Sequence, residues 1–491
     1  MRVLLINPQR NLKNPKKQFL SPPLGLAYIA AYLRQKGISV SLIDTLIEGF
    51  DNVEPLGNGV FKCGLSNGDL ESRIREFAPD LIGISCMFTP RFNNVVEIAR
   101  LIKYIDARIT VVVGGMHASV CPKETLQEKT IDFVVLGEGE LPFYGLLKKI
   151  DSKETDFSDI GGIAYRCGND FFVSPKKSFI DDLDALPFPA RDLLSLEEYF
   201  QKNIRRDSLA TERRHTSIIT SRGCPYSCTF CSAIAHWGRD WRKRNAENVL
   251  DEIEELVKAY KIKELSFEDD NLSLDPARLE EICRGIIKRR LKFRWNTPNG
   301  IAVHNLDRRL IRLMKKSGCQ RLNFGIESGD EYILNEVIRK SISLEKISQV
   351  VGWASHEGIV TLGYFVLGMP GETPQSIDRT IEFAKSINLD EIAVFIATPF
   401  PGTELYRICK EAHYLKRDYK DILSEDGIEN EVFFETPFLS TEELMQKRAL
   451  FYSEFYRARG LKNPLYYFNR VIRNPAVVLN YVKEAAFLNK N

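Results

Sequence analysis

Three cysteines stand close together in Cys224-Pro225-Tyr226-Ser227-Cys228-Thr229-Phe230-Cys231, directly after the apolar run Ser217-Ile218-Ile219-Thr220. Thiolates this close on a loop leaving a strand can chelate one metal centre. A closed structural zinc or iron–sulfur site takes four ligands. Three thiolates on a four-iron cubane leave one iron open, and open metal positions do chemistry. The alternative is a zinc site completed by His215 or His236. Against it, the chain has no second Cys-x-x-Cys or His-x3-His, and neither histidine has a partner at ligand spacing. Three unrelated structural thiols would leave both the spacing and the strand–loop setting unexplained.

A loop of this kind needs a larger fold to hold it. At 491 residues the chain exceeds what one core supports, so two or three domains are expected. Apolar residues at 44% and charged residues at 27% are ordinary for a globular protein in water. A net charge of +2 with no basic tail gives no field to steer nucleic acid, which is not an expected partner. Met1-Arg2-Val3-Leu4-Leu5-Ile6-Asn7-Pro8 reads as a buried strand running into a turn rather than as a signal peptide. No window approaches the roughly 20 apolar residues of a membrane span. Ten cysteines without a secretion signal point to the reducing cytosol. Cys63, Cys86, Cys121, Cys167, Cys283, Cys319 and Cys409 are scattered singly and read as small core or surface thiols.

Residues 1–150 alternate apolar, β-branched runs (3–6, 40–43, 81–85, 110–113 and 133–136) with helical patterns (23–35, 69–77, 93–105, 123–128 and 140–150). Runs apolar at nearly every position fit a parallel sheet covered on both faces. The alternation therefore predicts a doubly wound, flavodoxin-like α/β domain, with ligands beyond the carboxyl ends of the strands. The loops there carry Asn7-Pro8, Ser85-Cys86-Met87, Gly114-Gly115-Met116-His117-Ala118-Ser119 and Gly137-Glu138-Gly139-Glu140. Residues 151–210 read as a linker with a hairpin (162–166 and 171–174) and the extended, proline-punctuated Leu186-Pro187-Phe188-Pro189-Ala190-Arg191.

Across residues 211–435 the alternation restarts, with strands near 217–220, 264–267, 293–296, 321–325, 361–366 and 391–397. Helices are expected between them at 246–260, 276–289, 307–315, 344–356 and 374–387. Six such units predict a partial (β/α)6 barrel, open rather than closed. Function in barrels gathers at the carboxyl ends of the strands, where the cysteine loop falls. Residues 436–491 read as a helical segment rich in aromatics, with Arg457, Arg459, Lys462, Arg470 and Arg473 beside them. A basic amphipathic helix can lie on a membrane, but packing of its aromatics on the domain is the favoured reading.

The C-x3-C-x2-C spacing, with Phe230 before the last cysteine, resembles the signature of radical S-adenosylmethionine (SAM) enzymes. Ser21-Pro22-Pro23-Leu24-Gly25-Leu26-Ala27-Tyr28, residues 114–118, residues 136–140 and Pro187-Phe188-Pro189-Ala190-Arg191 extend the likeness. Taken together, residues 1–150 and 216–410 resemble the cobalamin-binding radical SAM enzymes, which include the class B radical SAM methyltransferases. The resemblance implies a 4Fe–4S cluster on Cys224, Cys228 and Cys231, with the amine and carboxylate of SAM on the open iron. It implies SAM contacts at Phe230, Asp269, Asp270, Glu327, Ser328 and Gly368. It implies cobalamin contacts at Ser85, Gly114, Gly115, His117, Gly137, Glu138 and Gly139.

Each of these has a plainer alternative. The acidic run Glu268-Asp269-Asp270-Asn271 precedes a helix and could cap it. Glu327 could pair with Lys340. The turns at 367–373 and 399–403 could be turn chemistry alone. No histidine precedes His117, so the Asp-x-His-x-x-Gly pattern that supplies a lower cobalt ligand is absent from its usual place. The resemblance therefore implies cobalt without a histidine lower ligand, which favours cobalt(I) and ready methyl transfer. The implied reaction is methylation of an unactivated carbon or a phosphinate phosphorus, one SAM methylating the cobalt and a second giving the 5′-deoxyadenosyl radical. A cobalamin-dependent oxidoreductase or cyclase without methyl transfer is the second reading, and a non-catalytic corrinoid or iron–sulfur protein the third. A small-molecule substrate, an electron donor such as ferredoxin or flavodoxin, and a cytoplasmic location accompany the first; peripheral membrane contact is not favoured.

Overall fold

The computed structural model describes residues 1–462 except 19, 177–178, 203–211, 427 and 429–430. Residues 463–491 of the expected C-terminal helical segment lie outside the described residues. The N-terminal sheet takes β1 (Arg2–Asn7), β2 (Ser39–Asp44), β3 (Leu81–Ser85), β4 (Thr110–Gly114), β5 (Phe133–Val135), β6 (Ile163–Cys167) and β7 (Asp170–Ser174). Their order in space is β2-β1-β3-β4-β5-β6-β7. The first five are parallel in the flavodoxin-like 2-1-3-4-5 arrangement, with a switch point between β1 and β3. Val3, Leu4, Leu5, Ile6, Val111, Val112 and Val113 are buried, as a sheet sandwiched between helix layers requires.

Two parts of this domain differ from the sequence reading. The hairpin expected within a linker instead extends the sheet: β6 pairs antiparallel with β5 through Phe133↔Tyr165, Val134↔Ala164 and Val135↔Ile163. It covers an edge that β5 would otherwise leave open. A small antiparallel sheet of Arg10–Leu12, Val53–Gly57 and Val60–Cys63 was not anticipated. Its strands are short and interrupted by Pro55 and Gly57, so no periodicity marks them.

The second sheet is wholly parallel and runs in chain order: β8 (His215–Ile218), β9 (Glu264–Phe267), β10 (Arg294–Ile301), β11 (Cys319–Glu327), β12 (Val360–Leu367) and β13 (Glu391–Ile396). It ends at β8 and β13, giving the open barrel. The helices Ala246–Lys258, Pro276–Lys288, Arg308–Lys316, Leu344–His356 and Pro374–Ser386 lie between successive strands. Each begins at a polar residue (Asn245, Asp275, Asp307, Ser343, Thr373) whose side chain accepts a first-turn N–H, which fixes where each loop stops.

The helix Thr441–Lys462 packs on the domain, as favoured. Phe451 and Phe455 are wholly buried, and Phe451 meets Phe365 edge-on at 4.9 Å. The Tyr452 hydroxyl accepts from Val394 N at 2.9 Å, and Arg448 Nε donates to Val394 O at 3.0 Å. Side chains of this helix thus satisfy backbone groups on β13, the open edge of the barrel. Among the described residues no helix is long and apolar enough to cross a membrane.

The proline-punctuated stretch docks against the barrel through Arg191. Its guanidinium donates to Glu252 Oε1 at 2.5 Å and to Ser217 O at 2.9 Å, and Arg244 engages the other Glu252 oxygen. Burial alone would raise the Glu252 carboxyl, but the two guanidinium charges hold it below its ordinary value. Glu252→Ala would leave both cations buried without their shared anion, a defect of about 3–5 kcal/mol. A lower midpoint in chemical denaturation is expected; an unchanged midpoint would mean that solvent reaches these arginines.

Candidate functional site

After β8, Ser221–Arg222 pairs antiparallel with Arg242–Lys243, closing the loop that carries the three cysteines. Gly223 has φ +90°, and a Cβ there would collide with Asp240 O, so the turn into the loop requires glycine. Thr229 anchors the loop: its N–H donates to Ile338 O (3.1 Å), its hydroxyl to Val337 O (3.0 Å), and its carbonyl accepts from Leu405 N (2.8 Å). Cys224, Cys228 and Cys231 are half-buried free thiols on the wall of one cavity of about 450 Å³ at the carboxyl ends of the barrel strands. Burial raises all three thiols, Cys231 to about 12.

Neither histidine of the zinc alternative reaches them. His215 Nε2 pairs with Ser266 Oγ at 2.8 Å, and His236 lines a different cavity. Among the described residues no three His, Cys, Asp or Glu side chains are grouped to hold a single ion. Thiols that share a cavity wall without closing around one ion suit a multi-iron cluster, whose ligands attach to separate irons.

Glu327 ends β11 after a register shift, in the left-handed region at φ +67°. A non-glycine residue rarely rests there. The kink brings its carboxylate to the cavity wall, where Lys340 Nζ meets it at 2.6 Å. Burial would lower the Lys340 ammonium, but the charge and hydrogen bond of Glu327 hold it above its ordinary value. A Cβ on Gly325 would lie 2.6 Å from Glu327 Oε1 and 2.7 Å from Lys340 Nζ, so glycine makes room for this pair. Asp270 also lines the cavity, pushed up to about 6 by burial and by the neighbouring Asp269 charge.

The expected SAM contacts divide. Phe230, Asp270 and Glu327 line the cavity; Asp269, Ser328 and Gly368 do not. Asp269 is buried the other way, accepting from Thr220 N (3.2 Å), Thr220 Oγ1 (2.7 Å) and Ser221 Oγ, and so ties the end of β8 to that of β9. Ser328 Oγ pairs with Thr380 Oγ1 at 3.1 Å, under a helix. Gly368 packs on Leu444, and its N–H donates to Glu372 Oε2 at 2.6 Å. Tyr364 and Phe395 were missed as cavity residues, although strand alternation with Val366 and Ala397 places each on the same inward face. Lys340 was read only as a partner for Glu327.

A second cavity, about 400 Å³, lies between the domains. Ser85, Gly114, Gly115, Gly137, Glu138 and Gly139 line it from the N-terminal sheet, and Ile219, Arg222, His236 and Trp237 from the barrel. Gly115 has φ +102°, with Cys86 O only 2.7 Å from where a Cβ would sit, so backbone alone forms that wall. A glycine cradle at strand ends fits the close passage of a corrinoid and its tail. The expected contact at His117 is corrected: the short helix Met116–Val120 turns it into the core. There its Nδ1 lies 3.2 Å from Thr89 Oγ1, its ring packs on Phe92, and burial pushes it down to about 4. The helix Ala233–Trp237, just past Cys231, separates the cavities: Ala233 faces the first, His236 and Trp237 the second.

Glu372 Oε2 also accepts from Met369 N at 3.1 Å, while its Oε1 is buried without a partner. Burial pushes this carboxyl from its ordinary 4.5 to about 8. The folded state therefore holds a proton that the unfolded chain releases, and stability falls as pH rises from about 4.5 to about 8. Glu372→Gln should remove that slope, so its unfolding midpoint gains on the wild type between pH 5 and pH 8. Parallel midpoint–pH curves would show that Glu372 is ionised in the fold.

The B12 binding domain family matches residues 16–147, and the Radical SAM superfamily matches residues 218–384. The chain is 32% identical to the cytidylyl-2-hydroxyethylphosphonate methyltransferase of Streptomyces wedmorensis, over 83% of this chain and 81% of that protein. It is 34% identical to an uncharacterised methyltransferase of Pyrococcus horikoshii, over 78% of each. Its fold matches the radical S-adenosylmethionine methyltransferase TsrM from Kitasatospora setae with a TM-score of 0.70 at 19% identity, over 92% of this chain and 91% of that one. The first family match falls on the glycine-lined α/β domain and the second on the open barrel that carries the cysteine loop, and with these relatives the chain belongs to the cobalamin-binding radical SAM enzymes, among their methyltransferases.

Proposed function

We propose that the enzyme methylates an unactivated carbon, or a phosphinate phosphorus, of a small molecule in the cytosol, with electrons from a ferredoxin or flavodoxin. Cys224, Cys228 and Cys231 would hold the 4Fe–4S cluster, the cavity beside them SAM, and the inter-domain cavity cobalamin. The observation that carries this reading is that both cavities back onto the same short helix, Ala233–Trp237. When bound, the cluster supplies the electron that cleaves SAM, SAM the 5′-deoxyadenosyl radical and the methyl group, and cobalamin the cobalt that carries the methyl.

The chain's residues bind and orient. Three cysteines without a fourth leave one iron to a ligand from outside the protein. Lys340, with Asp270 and Glu327 on the same wall, offers a cation for the SAM carboxylate and anions for its ammonium. Tyr364, Val366, Phe395 and Phe400 line the same cavity with apolar surface that excludes water around a reactive radical. No side-chain acid or base is required. The Streptomyces relative, named for methylating a cytidylyl phosphonate, supports a small-molecule acceptor.

Anaerobically reconstituted protein should show a cluster electron paramagnetic resonance (EPR) signal that shifts on adding SAM, beside bound cob(II)alamin. Product lacking an added methyl and two electrons more oxidised would replace methyl transfer with the oxidoreductase reading. Cys228→Ala should lose the cluster iron and keep cobalamin; full iron in that variant would sink the assignment of the thiols. Gly325→Ala should keep iron but weaken SAM binding at least tenfold, about 1.4 kcal/mol, by prising apart Glu327 and Lys340. Unchanged SAM affinity would remove that pair from the SAM site.

A further inference from the structure

We infer that Arg222 is a positioning residue: bridged to Glu138 and Glu140 of the N-terminal domain, it sets the cysteine loop in a fixed relation to the inter-domain cavity. This rests on the assignment of the thiols to the cluster and of that cavity to cobalamin. Arg222 lies two residues before Cys224 and is buried. Its NH1 is 3.1 Å from Glu138 Oε1 and its NH2 2.7 Å from Glu140 Oε1. Its guanidinium also stands between two rings, Tyr28 of the N-terminal domain at 5.1 Å and Trp237 of the loop at 5.2 Å.

The far stem of the loop is tied to the same anion. Arg222 pairs with Arg242 across the two-stranded ribbon, and Arg242 NH1 lies 2.6 Å from Glu138 Oε1. One carboxylate of the N-terminal domain therefore grips both ends of the segment that carries the cysteines. Its other oxygen accepts from Ile180 N at 3.0 Å, with Lys176 Nζ 3.5 Å away. The middle of the segment is fixed as well. His236 Nδ1 lies 3.5 Å from Ser119 Oγ, and that hydroxyl accepts from Gly137 N at 2.8 Å and donates to Gly115 O at 2.8 Å. A Cβ on Gly137 would come within 2.8 Å of His236 O, so glycine here admits the loop backbone.

The strand ends that form the cavity floor are thus the ones that hold the loop. A buried ion network contributes little net stability compared with apolar packing of the same volume. What this one supplies is a fixed geometry: a planar fork bridging two carboxylates tolerates little displacement. A lysine keeps the charge but cannot bridge both.

The test reads that geometry without a substrate. Arg222→Lys and Glu140→Gln are reconstituted with cluster and cobalamin, and iron content, cobalamin affinity and the relaxation of the cob(II)alamin EPR signal by the reduced cluster are measured. That relaxation enhancement falls steeply with the distance between the two centres. Because Arg222 and Glu140 also line the inter-domain cavity, both variants should bind cobalamin more weakly; with wild-type iron and cobalamin at saturation, they should lose relaxation enhancement. Arg191→Lys, in the other buried network, should lower stability and leave the enhancement unchanged. Wild-type enhancement in both variants, loss of either cofactor from them at saturation, or an equal loss of enhancement in Arg191→Lys would overturn the inference. Wild-type protein that takes up no cluster or no cobalamin would instead fail the assignment beneath it.

Discussion

Both domains of this enzyme are α/β structures, and each opens a cavity at the carboxyl ends of its parallel strands, where ligands of such folds gather. Chemistry that uses ligands of both works only if those two ends face each other and stay so. The constraint is met at Glu138, whose carboxylate lies within reach of Arg222, Arg242 and Lys176 while fully buried. Burial would raise that carboxyl, yet the surrounding cations hold it below its ordinary value, so the anion persists at neutral pH. The Gly-Glu-Gly-Glu stretch after β5 therefore has a divided role. Its glycines line the inter-domain cavity, Gly137 also admitting the loop backbone, and its glutamates hold the barrel.

The cysteine loop is preformed in a particular sense. Its thiols are raised by burial, so the metal-free loop carries neutral sulfur rather than three mutually repelling thiolates. Lys340, buried beside Glu327, adds a nearby positive charge that favours thiolate at Cys228 once the proton leaves. A metal centre taken up by these thiols would displace their protons. The backbone holding the loop comes from residues far away in sequence, Val337, Ile338 and Leu405.

The fold was largely legible because parallel, doubly covered strands read as unbroken apolar runs, and because each barrel helix opens on a capping residue. The cysteine spacing was legible because chelation demands it. What could not be read is direction. Asp269 and Asp270 are neighbours at the end of β9; one stitches β8 to β9 and the other lines the cavity, since successive side chains on extended backbone point opposite ways. Which is which depends on the parity of a strand end, the part of a strand that sequence fixes least. His117 was misplaced for a related reason: a five-residue helix, Met116–Val120, begins where a loop was expected and carries the ring inward. The β6–β7 hairpin was seen, but not its partner, because pairing with β5 leaves no local mark.

An open barrel has a free edge, and the chain treats its edge strand β13 in a way that bears on access. The helix Thr441–Lys462 covers that strand with aromatic side chains and supplies Tyr452 and Arg448 to its backbone, so the edge is closed to other strands without adding another. Two residues before that helix reach the cavities. Glu425 lines the inter-domain cavity and pairs with Arg10 (3.0 Å) and with Arg91 of the N-terminal domain, while Ile428 lines the cavity of the cysteines. Glu425 and Ile428 thus put one short segment at both cavities, as the helix Ala233–Trp237 does. With the cavities assigned as proposed, a substrate shared by their two ligands would lie between this segment and that helix.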